Sequence, residues 1–88
     1  MVLCYTVRIS DQAERALRDI PKQDQKRIGA KVEGLARNPR PRGCVVLKGG
    51  GEGYLRIRVG DYRVVYTVND EAVLVLVLKV GHRRDVYR

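Results

Sequence analysis

The chain has 88 residues with 18 Lys+Arg against 10 Asp+Glu, a formal net charge of +8. That length holds one small domain and excludes a nucleotide-binding domain joined to a second one. The longest apolar run, Val73 to Leu78, is far short of a membrane helix, and two cysteines with one histidine cannot furnish a four-ligand zinc site. Cys4 and Cys44 are expected as reduced thiols. The first residues do not read as a signal peptide, so a cytoplasmic location is expected.

Residues 2–9, Val-Leu-Cys-Tyr-Thr-Val-Arg-Ile, are β-branched and aromatic and predict a strand. Ser10-Asp11 offers an N-cap, and Asp11 with Glu14 has capping-box spacing. Ala13, Leu17 and Ile20 then recur at helical spacing, predicting an amphipathic helix of about three turns. Pro21 interrupts it and suits the first turn of a second helix, whose apolar stripe is Ile28, Val32 and Leu35. Asn38-Pro39 ends that helix. Residues 38–53 are rich in Pro and Gly around a short strand, Val45-Val46-Leu47. Gly49-Gly50-Gly51 lacks the Gly-Lys-Ser/Thr ending and following helix of a phosphate-binding loop, so a connector is expected there.

The last third alternates as strands do. Leu55-Arg56-Ile57-Arg58-Val59 and Tyr62 to Val68 flank Gly60-Asp61, a two-residue hairpin turn. Asn69-Asp70-Glu71 is a second turn. Val73 to Val80 is nearly all apolar, which predicts a central strand covered on both faces and ended by Gly81. The order β-α-α-β-β-β-β predicts an α+β domain, with a small antiparallel-rich sheet and an N-terminal helix pair packed on one face. It occupies residues 1–88 as a single domain.

Charge is concentrated in the middle of the chain. Residues 37–63 carry seven basic and two acidic side chains. A two-residue turn at Gly60-Asp61 sets Arg58 opposite Arg63 and Arg56 opposite Val65. Leu55, Ile57, Val59, Tyr62, Val64, Tyr66 and Val68 then share the core face, and Arg56, Arg58 and Arg63 share the other. Like charges directly opposite destabilise a hairpin, so a bound anion is the counter-charge this face needs. A solvated face of splayed arginines, or an acidic protein partner, is the plainer alternative. The tail His82-Arg83-Arg84-Asp85-Val86-Tyr87-Arg88 adds further chemistry. RNA cleavage needs an acceptor for the 2′-hydroxyl proton, cations around the phosphorane and a donor to the leaving oxygen. His82 has an ordinary pKa near neutrality, Tyr87 needs cations to lower its own, and the arginines stabilise charge without giving up protons. Metal-dependent cleavage needs convergent carboxylates, and the acidic residues here are scattered.

Three stretches carry a resemblance: Tyr54-Leu-Arg-Ile-Arg-Val59, Gly60-Asp-Tyr-Arg-Val-Val-Tyr66 and Val80-Gly-His-Arg-Arg-Asp-Val-Tyr-Arg88. With the opening helix segment Ser10 to Pro21, they make the chain resemble the RelE/ParE superfamily of toxin–antitoxin toxins, and within it the RelE-like mRNA interferases. The likeness spans essentially the whole chain. It implies a toxin that enters the ribosomal A site and cuts mRNA there without metal or other cofactor, by attack of the 2′-oxygen on the adjacent phosphate. It implies a RelB-like antitoxin partner, with no membrane involved. By the same resemblance Arg56 and Arg58 lower the base's pKa or grip phosphate, Arg63 stabilises the phosphorane, and Arg83 assists the leaving oxygen. Tyr87 or His82 takes the 2′-proton, while Lys48, Arg84 and Arg88 contact RNA. Two departures stand out: arginines replace the family's strand lysines, and His82 replaces a non-titrating basic residue. ParE-like members, which inhibit DNA gyrase without cutting RNA, are the alternative, and a non-catalytic RNA-binding module is another.

Overall fold

The computed structural model describes residues 4–47 and 53–84. Lys48, the triple glycine, Tyr87 and Arg88 lie outside that range. Among the described residues the elements run β1 (Thr6–Ile9), α1 (Asp11–Arg18), α2 (Lys22–Gly34), β2 (Val45–Val46), β3 (Tyr54–Val59), β4 (Tyr62–Asn69) and β5 (Leu74–His82). The order is the expected β-α-α-β-β-β-β.

The helices begin where the local chemistry dictates. Ser10 is the N-cap of α1, its Oγ accepting from the Ala13 N–H at 3.1 Å. Asp11 and Glu14 lie in the first turn, where carboxylates suit the helix dipole, and do not form the capping box themselves. α1 stops at Arg18, about half a turn short of Ile20, because Pro21 forces the chain out of helix just beyond Ile20. Ile20 is buried all the same, in the connecting turn. Its carbonyl accepts from Gln25 Nε2 at 2.8 Å, which ties the turn to α2. Ile28, Val32 and Leu35 form the expected buried stripe of the second helix.

The sheet order is β1-β5-β4-β3-β2, with β1 parallel to β5 and every other pair antiparallel. The hairpin register is the expected one, pairing Val59 with Tyr62, Arg58 with Arg63 and Arg56 with Val65. Gly60 takes φ +60° and Asp61 does not share the positive sign, the pattern of a type II′ turn. Both helices cover the same sheet face. The core holds Leu55, Ile57, Val59, Val64, Tyr66, Val75, Val77 and Val80 from the sheet, against Ala13, Ile28, Val32 and Leu35 from the helices.

β5 departs from expectation in two ways. It is interior, between β1 and β4, but the helices cover only one of its faces: Val75, Val77 and Val80 are buried, while Leu74, Leu76 and Leu78 are half-buried on either side of them. It also runs through Gly81 to His82. The nearly continuous apolar run reflects an irregularity in the ladder. Tyr66 pairs with Val77 but Val65 pairs with Lys79, so Leu78 is an extra residue, a β-bulge.

A basic sheet face as candidate functional site

Residues paired across strands share a face, so the register lays out the open side of the sheet as rows. One row is Arg58, Arg63 and Gly81 across β3, β4 and β5. The next is Arg56, Val65 and Lys79, and beyond it lies Tyr54, Thr67, Leu76 and, on β1, Arg8. Among the described residues five cations therefore share this face, and none of the five strands contains an Asp or Glu. Val65 is buried yet stands outside the helix-side core cluster. Arg56 and Lys79 are its cross-strand neighbours on either side, and both are half-buried.

The arginines differ in their surroundings. Arg63 is 8% exposed, and one guanidinium nitrogen donates to the carbonyls of Gly60 at 3.2 Å and Tyr62 at 3.1 Å. The guanidinium is thus fixed against the hairpin turn, with further N–H donors still to offer. Arg58 is exposed at the edge of the sheet. β2 pairs only with Leu55 and Arg56, so the ladder ends before Arg58. Arg58 also borders a cleft of about 420 Å³ between α2 and β3, to which Lys31 and Arg42 add two more cations. From α2, Arg27 reaches the turn: a Cβ on Gly60 would lie 3.4 Å from its guanidinium.

The tail is divided between faces. Arg83 is exposed and tied beside the hairpin turn, its N–H donating to the Asp61 carbonyl at 2.8 Å. His82 pairs with Tyr62, which packs on the helix-side core, and the two rings meet edge-on with centroids 5.8 Å apart. The structure thus sets His82 on the face opposite Arg58 and Arg63 and does not bring it among them. The sequence placed it there because a loop was expected to begin at Gly81, whereas the strand continues and its alternation turns the imidazole away. His82 Nδ1 accepts from the Arg84 N–H at 3.3 Å, and Arg84 is exposed. Lys48, Tyr87 and Arg88 fall outside the described residues.

Lys79 and Arg8 are the members of this face that sequence reasoning missed. Plain alternation puts Lys79 on the same side as Val75 and Val77, and only the extra residue at Leu78 moves it across. The available signal was a lysine within an apolar run that no helix could accommodate on its core side. Among the described residues, His, Cys, Asp and Glu side chains nowhere gather in a group that could hold a metal ion. Nor is any helix there long and apolar enough to cross a membrane.

A family model described as the ParE toxin of the type II toxin–antitoxin system parDE matches residues 7–87. The chain belongs to the RelE/ParE toxin family. It is 36% identical to toxin RelG of Mycobacterium tuberculosis, over 96% of this chain and 97% of that one. The toxin–antitoxin complex RelBE2 of the same organism superposes with a TM-score of 0.83 at 32% identity, covering 97% of this chain and 98% of that chain. The archaeal RelE–RelB complex of Pyrococcus horikoshii gives 0.80 at 32%, covering 98% of this chain and all of that one. The chain is therefore a RelE/ParE-family toxin of the type II toxin–antitoxin class, with the helix pair and mixed sheet of its relatives.

Proposed function

We propose that this toxin is a ribosome-dependent mRNA endoribonuclease that arrests translation by cutting codons in the A site. The observation that carries the reading is the row Arg58–Arg63 beside Arg56, cations directly opposed on a sheet with no carboxylate in its strands. Such a face is stabilised by a bound polyanion, and arginine matches phosphate bidentately. The chemistry is attack of a 2′-oxygen on the adjacent phosphorus, with departure of the 5′-oxygen of the next nucleotide. Arg63, rigidly held, stabilises the charge of the phosphorane, while Arg56 and Arg58 grip phosphate and Arg83 assists the leaving oxygen. Tyr87 takes the 2′-proton. The opposite-face placement of His82 favours Tyr87 for that role. Lys48, Arg84 and Arg88 extend the contact with RNA. A reaction of this kind calls on side chains alone and no cofactor.

The partner that restrains the toxin is a RelB-like antitoxin, a reading supported by the two similar structures above, both toxin–antitoxin complexes. Both act in the cytoplasm, where ribosomes and mRNA are. The ParE description of the matching family model favours one other reading, inhibition of DNA gyrase without RNA cleavage. Primer extension on an mRNA translated in vitro separates the two. Cuts inside A-site codons that require ribosomes support the ribonuclease; intact mRNA with inhibited supercoiling overturns it. Arg63→Ala should abolish growth arrest while circular dichroism and antitoxin capture remain those of the wild type. A folded Arg63→Ala variant that still arrests growth refutes the role given to Arg63.

A further inference from the structure

Lys79 is out of place by the logic of its strand. It interrupts the run Leu74-Val-Leu-Val-Leu78, on a strand flanked by neighbours on both edges. Were β5 regular, its ammonium group would enter the helix-side core, where an unpaired charge is severely penalised. The bulge at Leu78 prevents this, and the bulge is held. The Leu78 carbonyl accepts from Ser10 Oγ at 2.9 Å, and the Val77 carbonyl from the Ser10 N–H at 2.8 Å. The N-cap of α1 thus fixes the irregularity that turns Lys79 outward.

On the open face Lys79 stands in the row of Arg56 and Val65, next to the row of Arg58 and Arg63. Lys79 is one row along and one strand across from Arg63, which sets the two backbone positions roughly 8 Å apart. That is a step comparable with one nucleotide of extended backbone. The ion pairs among the described residues, Arg27–Asp24 and Arg40–Asp70, both lie off the sheet, so no carboxylate there claims this lysine. A half-buried stem with a charged tip beside an arginine row suits a point-charge contact to phosphate.

We propose that Lys79 is a phosphate-binding residue of the RNA track, gripping the phosphodiester next to the one held by Arg58 and Arg63. This rests on the ribonuclease reading for the identity of the polyanion as single-stranded RNA. Its role is to hold the strand in register, and proton transfer is not part of it.

The test uses the whole toxin and a short single-stranded RNA bearing 2′-methoxy groups throughout, which cannot be cut. Affinity is measured over a series of salt concentrations for wild type, Lys79→Met and Lys79→Arg. Methionine keeps an apolar stem beside Val65 and removes the charge. Removing one phosphate contact should make the slope of log K against log salt shallower by about 0.7, and arginine should restore it. In cleavage assays Lys79→Met should raise KM and leave kcat near wild type. Thermal melting checks that each variant folds, and Lys79→Gln replaces the methionine variant should that one fail to fold. A folded, uncharged variant with the wild-type slope and KM overturns the assignment. Absence of ribosome-dependent cutting by the wild type would instead overturn the ribonuclease reading, and the salt slope would still decide whether Lys79 meets phosphate.

Discussion

Ser10 ties the start of α1 to β5. Its Oγ caps α1 at Ala13, the same hydroxyl donates to the Leu78 carbonyl, and its N–H donates to the Val77 carbonyl. Ser10→Ala removes the cap and leaves a bulge carbonyl without its partner. The expected loss is about 1–2 kcal/mol, read from urea unfolding. The cap itself was legible, because Ser followed by a helical apolar stripe is a local signal. The bond to Leu78 was not, since it joins residues that only the folded sheet brings together. Val73 presents the opposite case, a local cost. It has φ +53° in the turn before β5, a region that a β-branched residue enters only under strain. Val73→Asn, which tolerates that conformation, should stabilise the protein by about 1 kcal/mol, visible as a higher melting temperature.

At the scale of elements, the β3–β4 hairpin was readable in full. A strictly alternating run and a second alternating one around Gly60-Asp61 favour one register, and a slip of one residue would have put three arginines into the core. β5 was readable as an interior strand but not as a bulged one, because its apolar run disguises where the alternation breaks. The loop after α2 was the least legible, and a buried hydroxyl helps to fasten it. Buried Tyr66 on β4 donates to the Pro39 carbonyl at 2.7 Å. Burial first, and then the neighbouring Cys44, pushes the Tyr66 hydroxyl well above the ordinary tyrosine value of 10.0. The folded protein keeps that proton under conditions in which the unfolded chain loses it. Its contribution is therefore complete below about pH 10 and declines as the pH rises further. Tyr66→Phe should flatten this alkaline decline in unfolding titrations. At neutral pH it should cost about 1–3 kcal/mol, because the Pro39 carbonyl is left without its donor.

At the scale of the whole molecule, charge was the most informative property and its total the least. A value of +8 says only that some polyanion is attractive. The arrangement says more: helices on one side bury the apolar stripes, and five cations share the other side of a sheet without carboxylates in its strands. The arginine half of that arrangement was visible in the sequence. The division of the tail was not, because it depends on β5 continuing one residue past Gly81 and so turning His82 away. At the other end of the molecule Asp70 accepts two bonds from Arg40 and one from Tyr5. The Arg40 guanidinium first, and then the Tyr5 hydroxyl, hold its carboxyl below the usual aspartate value. This clasp of the residue before β1, the loop after α2 and the β4–β5 turn is present at neutral pH and weakens as acid protonates Asp70.

The parallel pairing of β1 with β5 also bears on how the toxin comes into being. The first strand finds its partner only when the last of the described strands is made, with Thr6 set beside Leu74 and Ile9 beside Val77. A nascent chain that reaches only as far as Val73 holds two outer pieces of sheet and lacks the piece between them. A fragment of residues 1–73 should accordingly show no cooperative unfolding by circular dichroism, although it includes both helices and the whole arginine hairpin. Synthesis and arming are thereby coupled: the basic face cannot be presented on a finished sheet before β5 has been translated. An antitoxin thus has until that moment to be in place.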